Sequence, residues 1–145
     1  MRVGPTLDRL LKEYPDDLRI VYKQHPLPMH SQAPIAAEAA IAARNQGQFF
    51  EMHEALLKNS RSLSKGKILE IAGQIGMDVD RLGKELDNRT HKAEVDKETR
   101  EVVSLGATGT PASFINGRFL NGAQPYEAFK KLVDEELKKA KAGSS

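Results

Sequence analysis

Apolar residues recur at helical spacing along most of this chain and at a spacing of two in only a few places. Val3, Leu7, Leu10, Leu11 and Tyr14 share one stripe, which predicts a first helix over about Pro5–Tyr14, with Pro5 tolerated in its first turn. Pro15-Asp16-Asp17 stops that helix and turns the chain. The run "LRIVYK" (Leu18–Lys23) alternates and is rich in β-branched and aromatic residues, so it predicts a short strand. "QHPLPMHSQAP" follows, and its three prolines predict an irregular loop.

A helical block comes next. "IAAEAAIAARNQG" is an Ala-rich helix closed by Gly47, whose small side chains permit close packing against a neighbour. "FFEMHEALLKN" places Phe49, Met52, His53, Leu56 and Leu57 on one face, with Phe49, Phe50 and Met52 expected in the core. Ser64 is an N-cap with Leu63 and Ile68 spaced as a hydrophobic staple, and the helix it starts buries Ile68, Ile71, Ala72 and Ile75 before Gly76. Asp78 caps a further helix to about Leu86, and Thr90 is expected to cap a longer one carrying Val95, Thr99, Val102 and Val103 on its inner side.

After Gly106 the pattern changes. "ASFINGRFLNG" is two short apolar runs around Asn116-Gly117, the signature of a type I′ hairpin, with Gly117 and Gly122 as turn positions. Pro125 opens a terminal helix whose buried stripe is Tyr126, Phe129, Leu132, Val133 and Leu137. The order of helix, strand, helical block, hairpin and helix predicts an α/β or α+β sandwich around a small sheet.

At 145 residues, 39% hydrophobic and 29% charged, the chain has the size and balance of one globular domain. The net charge of +2 is spread among nearly as many acids, so no basic stripe points to nucleic acid. Lys138-Lys139-Ala140-Lys141 sits where cations suit a helix C-terminus. No apolar stretch approaches the roughly 20 residues of a membrane span, and the N-terminus has no apolar core of a signal peptide. Cysteine is absent, so this chain has no thiolate nucleophile, disulfide or Cys-bound metal.

The remaining candidate chemistry is sparse. His25 and His30 share the proline-rich loop, while His53 and His91 belong to helices, and none has the spacing of a zinc site. His53 lies on an apolar face, the position of a core histidine, and Glu51 and Glu54 point to other faces. Gly106, Gly109 and Gly122 lack the spacing of a dinucleotide loop, so neither a metal nor another cofactor is expected. Gly109-Thr110-Pro111 reads as a turn that launches a strand, with an X–Pro bond placed where a cis form is plausible.

The order "LRIVYK…HPLPMH…AAEAAIAA…FFEMHEALL…GATGTPASFINGRFLNGAQPYEAFKKLVDEEL" resembles the DsbA-like thioredoxin-fold oxidoreductases, from about Arg2 to Leu137. The most specific part is "GTP-x-x-FING" followed by "G-x-x-P-Y-E-x-F". The resemblance implies a single thioredoxin-like domain over residues 1–141 with a helical insertion at about 31–105, while Ala142-Gly143-Ser144-Ser145 itself reads as a flexible, frayed tail at 142–145. It implies a cis X–Pro bond in a loop that helps hold an extended polypeptide substrate, so that Gly109, Thr110 and Pro111 become the substrate-binding candidates. Relatives of this kind work outside the cytoplasm, and neither a membrane nor a nucleic acid is an expected partner.

The family's Cys-x-x-Cys lies at the start of the first helix, just before a stretch like "RVGPTL", where this chain begins. The expectation is an N-terminally truncated member that lacks the dithiol and the first central strand, leaving about three strands flanked by helices. Loss of a central strand leaves two unpaired edges. Three outcomes follow: Leu18–Lys23 and the "ASFIN" run close up as an antiparallel pair, a second copy supplies the pairing in a homodimer, or the core stays loose. The functional expectation is a redox-inactive member of a thiol:disulfide oxidoreductase family. The alternative is a non-catalytic peptide-binding or dimerisation module using the cis-Pro loop and the exposed strand edges.

Overall fold

The computed structural model describes residues 3–143. Its elements run α1 (Gly4–Glu13), α2 (Ala33–Asn45), α3 (Phe49–Lys58), α4 (Lys65–Gln74), α5 (Val79–Asp87), α6 (Lys92–Ser104), β1 (Ala112–Ile115), β2 (Arg118–Asn121) and α7 (Tyr126–Gly143). They divide into two compact units, one being Lys23–Gly106 and the other joining Met1–Tyr22 to Ala107–Ser145.

In the unit Lys23–Gly106, α2 is the central helix and packs against α3, α4, α5 and α6. Every residue from Ala37 to Ala43 is buried, so this helix is enclosed on all sides. Alanine makes that possible, because a bare methyl group lets neighbouring backbones approach closely. Met52, Leu56, Ile68, Ile71, Leu82 and Leu86 complete the core around it.

The caps anticipated from sequence form: Ser64 accepts from the Lys67 N–H at 3.1 Å, and Asp78 from the Arg81 N–H at 3.0 Å. Thr90 does not cap α6. Arg89 takes a left-handed φ of 51°, and the Thr90 N–H bonds back to the Glu85 carbonyl at 3.0 Å, which closes α5 in a Schellman turn. The next helix therefore starts one residue later, with His91 at its N-cap position.

Two apolar side chains expected inside lie outside. Phe50 is 65% exposed, because two residues of helix place it about 200° around from buried Met52. Val103 is 49% exposed, and Glu98 occupies the inward position on α6 instead. The Glu98 carboxylate accepts the Gln24 N–H at 2.7 Å and Arg44 Nη1 at 3.1 Å, while Thr99 Oγ1 donates to the Gln24 carbonyl at 3.2 Å.

The other unit holds α1, the segment after it, the hairpin and α7. Val3, Leu10, Tyr14, Tyr126, Phe129 and Val133 form its core, joined by Leu7, Leu18, Ile115, Leu120 and Leu137. Among the described residues the sheet has two strands, where about three were expected: β1 pairs antiparallel with β2, Ala112 opposite Asn121 and Ile115 opposite Arg118. Asn116 and Gly117 both have positive φ (47° and 86°), as the type I′ turn requires.

Leu18–Lys23 is not a strand. Its burial still alternates, with Leu18, Ile20 and Tyr22 half-buried and Arg19, Val21 and Lys23 exposed, but among the described residues no ladder joins it to another segment. The side-chain pattern of a strand is thus satisfied by packing on one face alone, and the closed-up antiparallel pair with "ASFIN" does not form. α7 continues through Ala142 and Gly143, and Ser144 and Ser145, the rest of the expected tail, lie outside the described residues, as do Met1 and Arg2.

Candidate functional site

The substrate-side candidates sit on the turn that feeds the hairpin. Ala107 is buried and anchors the turn's start, Gly109 and Pro111 are half-buried, and Thr110 is exposed. The Thr110–Pro111 peptide bond is cis. No side chain or backbone atom lies within 4 Å of where a Gly109 Cβ would stand, so the turn presents open backbone there. Pro111 has no N–H, and its carbonyl accepts the Gly122 N–H at 3.0 Å, continuing the hairpin register by one pair.

That bond fixes the direction of every other backbone group in β1. Bonded and non-bonded pairs alternate along an antiparallel ladder. With Pro111/Gly122 bonded, Ser113/Leu120 and Ile115/Arg118 are the bonded pairs of the hairpin, and the N–H and C=O groups of Ala112 and Phe114 point away from β2. Among the described residues no hydrogen bond engages those groups. An unpaired edge along this run was expected from the sequence, and the hairpin parity identifies Ala112 and Phe114 as the residues whose groups face it.

The two faces of the hairpin differ. Ile115 and Leu120 pack into the core under α7, and Arg118 Nη1 reaches Glu135 Oε2 of that helix at 2.5 Å. Phe114 and Phe119 form a cross-strand pair on the opposite face, ring centroids 5.1 Å apart, with Phe119 exposed. Asp17, Leu18, Ile115 and Asn116, with Val133, Glu136 and Leu137 of α7, line a cavity of about 80 Å³.

Polar groups tie α1 to α7. The Tyr14 hydroxyl donates to Asp134 Oδ1, and Lys130 Nζ donates to Tyr14 Oη at 2.6 Å and to Asp134 Oδ2 at 2.9 Å, with Glu13 Oε1 at 3.2 Å. Burial and the bond to Asp134 raise the Tyr14 pKa, bonds from Tyr14 and Lys130 lower that of Asp134, and bonds to Tyr14, Asp134 and Glu13 raise that of Lys130. At the start of α7 the Arg9 guanidinium lies 3.6 Å from the centroid of the buried Tyr126 ring. The first-helix stripe flagged Tyr14 as apolar, but nothing in its spacing revealed the partners of its hydroxyl.

The histidines do not converge. His53 is half-buried and stacked on Phe49 with centroids 5.4 Å apart, and burial lowers its pKa. His91 Nε2 lies 2.9 Å from Glu85 Oε2; burial opposes ionisation of Glu85, but its bonds to His91 and Arg81 outweigh this and lower its pKa. The His30 side chain is exposed, and both His25 ring nitrogens are buried with no hydrogen-bond partner among the described residues. Among the described residues no group of three or more His, Asp or Glu side chains is placed to hold a metal ion. Nor is any helix among them long and apolar enough to cross a membrane.

Comparison with known proteins gives two results. The family model described as DSBA-like thioredoxin domain matches residues 10–134. The chain is also 34% identical over 116 residues to the Na(+)/H(+) antiporter NhaA of Herminiimonas arsenicoxydans, covering 80% of this chain and 18% of that protein. It is 34% identical over 130 residues to the Na(+)/H(+) antiporter NhaA 3 of Salinispora tropica, covering 89% of this chain and 20% of that protein. The chain therefore spans about a fifth of the length of these curated relatives.

Proposed function

Because the chain belongs to the DSBA-like thioredoxin family, we propose that it is a thiol-free docking domain, which holds polypeptide in an extended conformation and performs no thiol–disulfide exchange itself. One observation carries this reading: a chain with no cysteine retains an open Gly109-Thr110-Pro111 turn leading directly into β1. Exchange begins with attack of a thiolate on a disulfide sulfur, and methionine thioethers cannot replace it. What the turn offers instead is backbone, and an extended peptide beside Thr110 would gain main-chain hydrogen bonds of the kind used in strand addition.

Titration of the isotope-labelled chain with an unlabelled extended peptide should shift the amides of Gly109, Thr110, Ala112 and Phe114. Reduction of a disulfide-bonded peptide by dithiothreitol should run at the rate seen without the protein. Unchanged amide spectra at millimolar peptide, or an accelerated reduction, would overturn the proposal.

The relatives favour a second, compatible reading of context. Each antiporter-named relative is matched over about a fifth of its length, which supports a domain that serves as one part of a longer polypeptide and docks chain for its neighbours. An antibody against this chain should then detect a native product several times larger than 16.0 kDa. A product of that size alone would remove the reading.

A further inference from the structure

We propose that Asn116 is a self-modification site, where the Gly117 backbone nitrogen displaces the side-chain amide and converts the hairpin tip to aspartate and isoaspartate. The chain has five asparagines, and the fold singles out this one. The inference goes beyond peptide docking and does not depend on it.

The reaction is a ring closure within the chain. The backbone nitrogen of the following residue attacks the asparagine Cγ. The N–Cγ bond forms, the Cγ–Nδ2 bond breaks, and the amide leaves as ammonia with the proton that the backbone nitrogen gives up. Solvent water then opens the cyclic imide at either carbonyl, giving aspartate or isoaspartate. The step needs an exposed asparagine, a following residue whose side chain does not crowd the approach, and a following N–H that no acceptor holds.

Four of the asparagines fail this test. After Asn45 the Gln46 N–H bonds to the Ala42 and Ala43 carbonyls, each at 3.1 Å. After Asn59 the Ser60 N–H bonds to Leu57, and after Asn88 the Arg89 N–H bonds to Leu86, both at 3.3 Å. Asn121 is exposed and precedes a glycine, but the Gly122 N–H donates to the Pro111 carbonyl at 3.0 Å. The Asn121 carbonyl also accepts Gln124 Nε2 at 2.8 Å, so the peptide that must rotate is held on both sides.

Asn116 meets every requirement. It and Gly117 are both exposed, and nothing lies within 4 Å of where a Gly117 Cβ would stand. Among the described residues no acceptor takes the Gly117 N–H. Attack requires Asn116 to leave its turn conformation, and that opening is local. Ile115/Arg118 is the last pair of the ladder, and Arg118 Nη1 stays on Glu135 Oε2 at 2.5 Å, so the tip can open while β2 keeps its hold on α7. The two products then differ. Aspartate before glycine still suits a type I′ turn. Isoaspartate routes the main chain through the side-chain carbon, and the lengthened loop no longer fits the Ile115/Arg118 pairing. The Pro111/Gly122 bond at the other end of the hairpin is untouched.

The 145-residue chain, folded and in urea, should be incubated in mildly alkaline buffer and followed by peptide mapping, with enzymatic methylation to mark isoaspartate. In urea the two Asn-Gly pairs have no structure to distinguish them. Folding should raise the ratio of the Asn116 rate to the Asn121 rate about tenfold, the factor that one hydrogen bond of ordinary strength imposes. In the isoaspartate product, hydrogen exchange should show lost protection at the Arg118 amide and retained protection at Gly122. A ratio that folding leaves unchanged or lowers overturns the proposal. So does a folded chain whose Asn116 stays intact for as long as the unfolded chain takes to convert.

Discussion

Tyr14 is the residue on which α1 and α7 depend most specifically, since its ring is in the core while its hydroxyl joins Asp134 and Lys130. Tyr14→Phe keeps the ring and deletes those bonds, and it should cost about 1 kcal/mol in urea unfolding near neutral pH. The cost should depend on pH. The Asp134 pKa is lowered by folding, so its contribution is complete above the ordinary carboxylate value near pH 4 and is lost as pH falls through the lowered one. Tyr14 and Lys130 are raised, so their contributions are complete below their ordinary values near pH 10 and are lost as pH rises through the raised ones. The difference between parent and Tyr14→Phe should therefore form a plateau that shrinks at both ends. A difference that stays constant from acid to alkali would show that the hydroxyl contributes nothing through these ionisations.

Among elements, the helices and the hairpin were legible because their instructions are local. Ser64 and Asp78 cap through bonds to amides three residues on, and Gly47 and Gly76 close their helices with positive φ. Gly117 adopts a φ of 86° with open space where a Cβ would be, so Gly117→Ala should lose about 1–2 kcal/mol from backbone conformation alone. Gly109→Ala, equally open but with no left-handed φ, should stay within about 0.5 kcal/mol of the parent in the same thermal or urea melts. Equal losses for the two variants would refute the turn-based account. Leu18–Lys23 was misread because alternation reports burial on one face, whereas a strand also needs a partner, and no local pattern supplies one. Val103 was misplaced for a related reason: the inward position on α6 belongs to Glu98, whose hydrogen bonds to Gln24 and Arg44 are long-range.

At the scale of the whole molecule, the thioredoxin-like family was readable from the "GTP-x-x-FING" turn and the helix after it, and the family match covers residues 10–134. The chain divides into a continuous helical unit, Lys23–Gly106, and a unit made of two chain segments. The helical unit has a core drawn from within its own stretch of sequence. The other core needs Leu10 and Tyr14 to meet Phe129 and Val133 from the far end of the chain, and spacing within either segment cannot announce that meeting.

Gln24 sets a limit on the segment that leads into it. Glu98 takes its N–H and Thr99 bonds its carbonyl, so its backbone is already engaged by side chains. Any strand that came to lie along Leu18–Lys23 would find no donor at Gln24, and beyond it Pro26 and Pro28 supply none either. Two side chains on α6 thus act as a stop for ladder growth at Gln24, keeping the loop that follows out of any sheet.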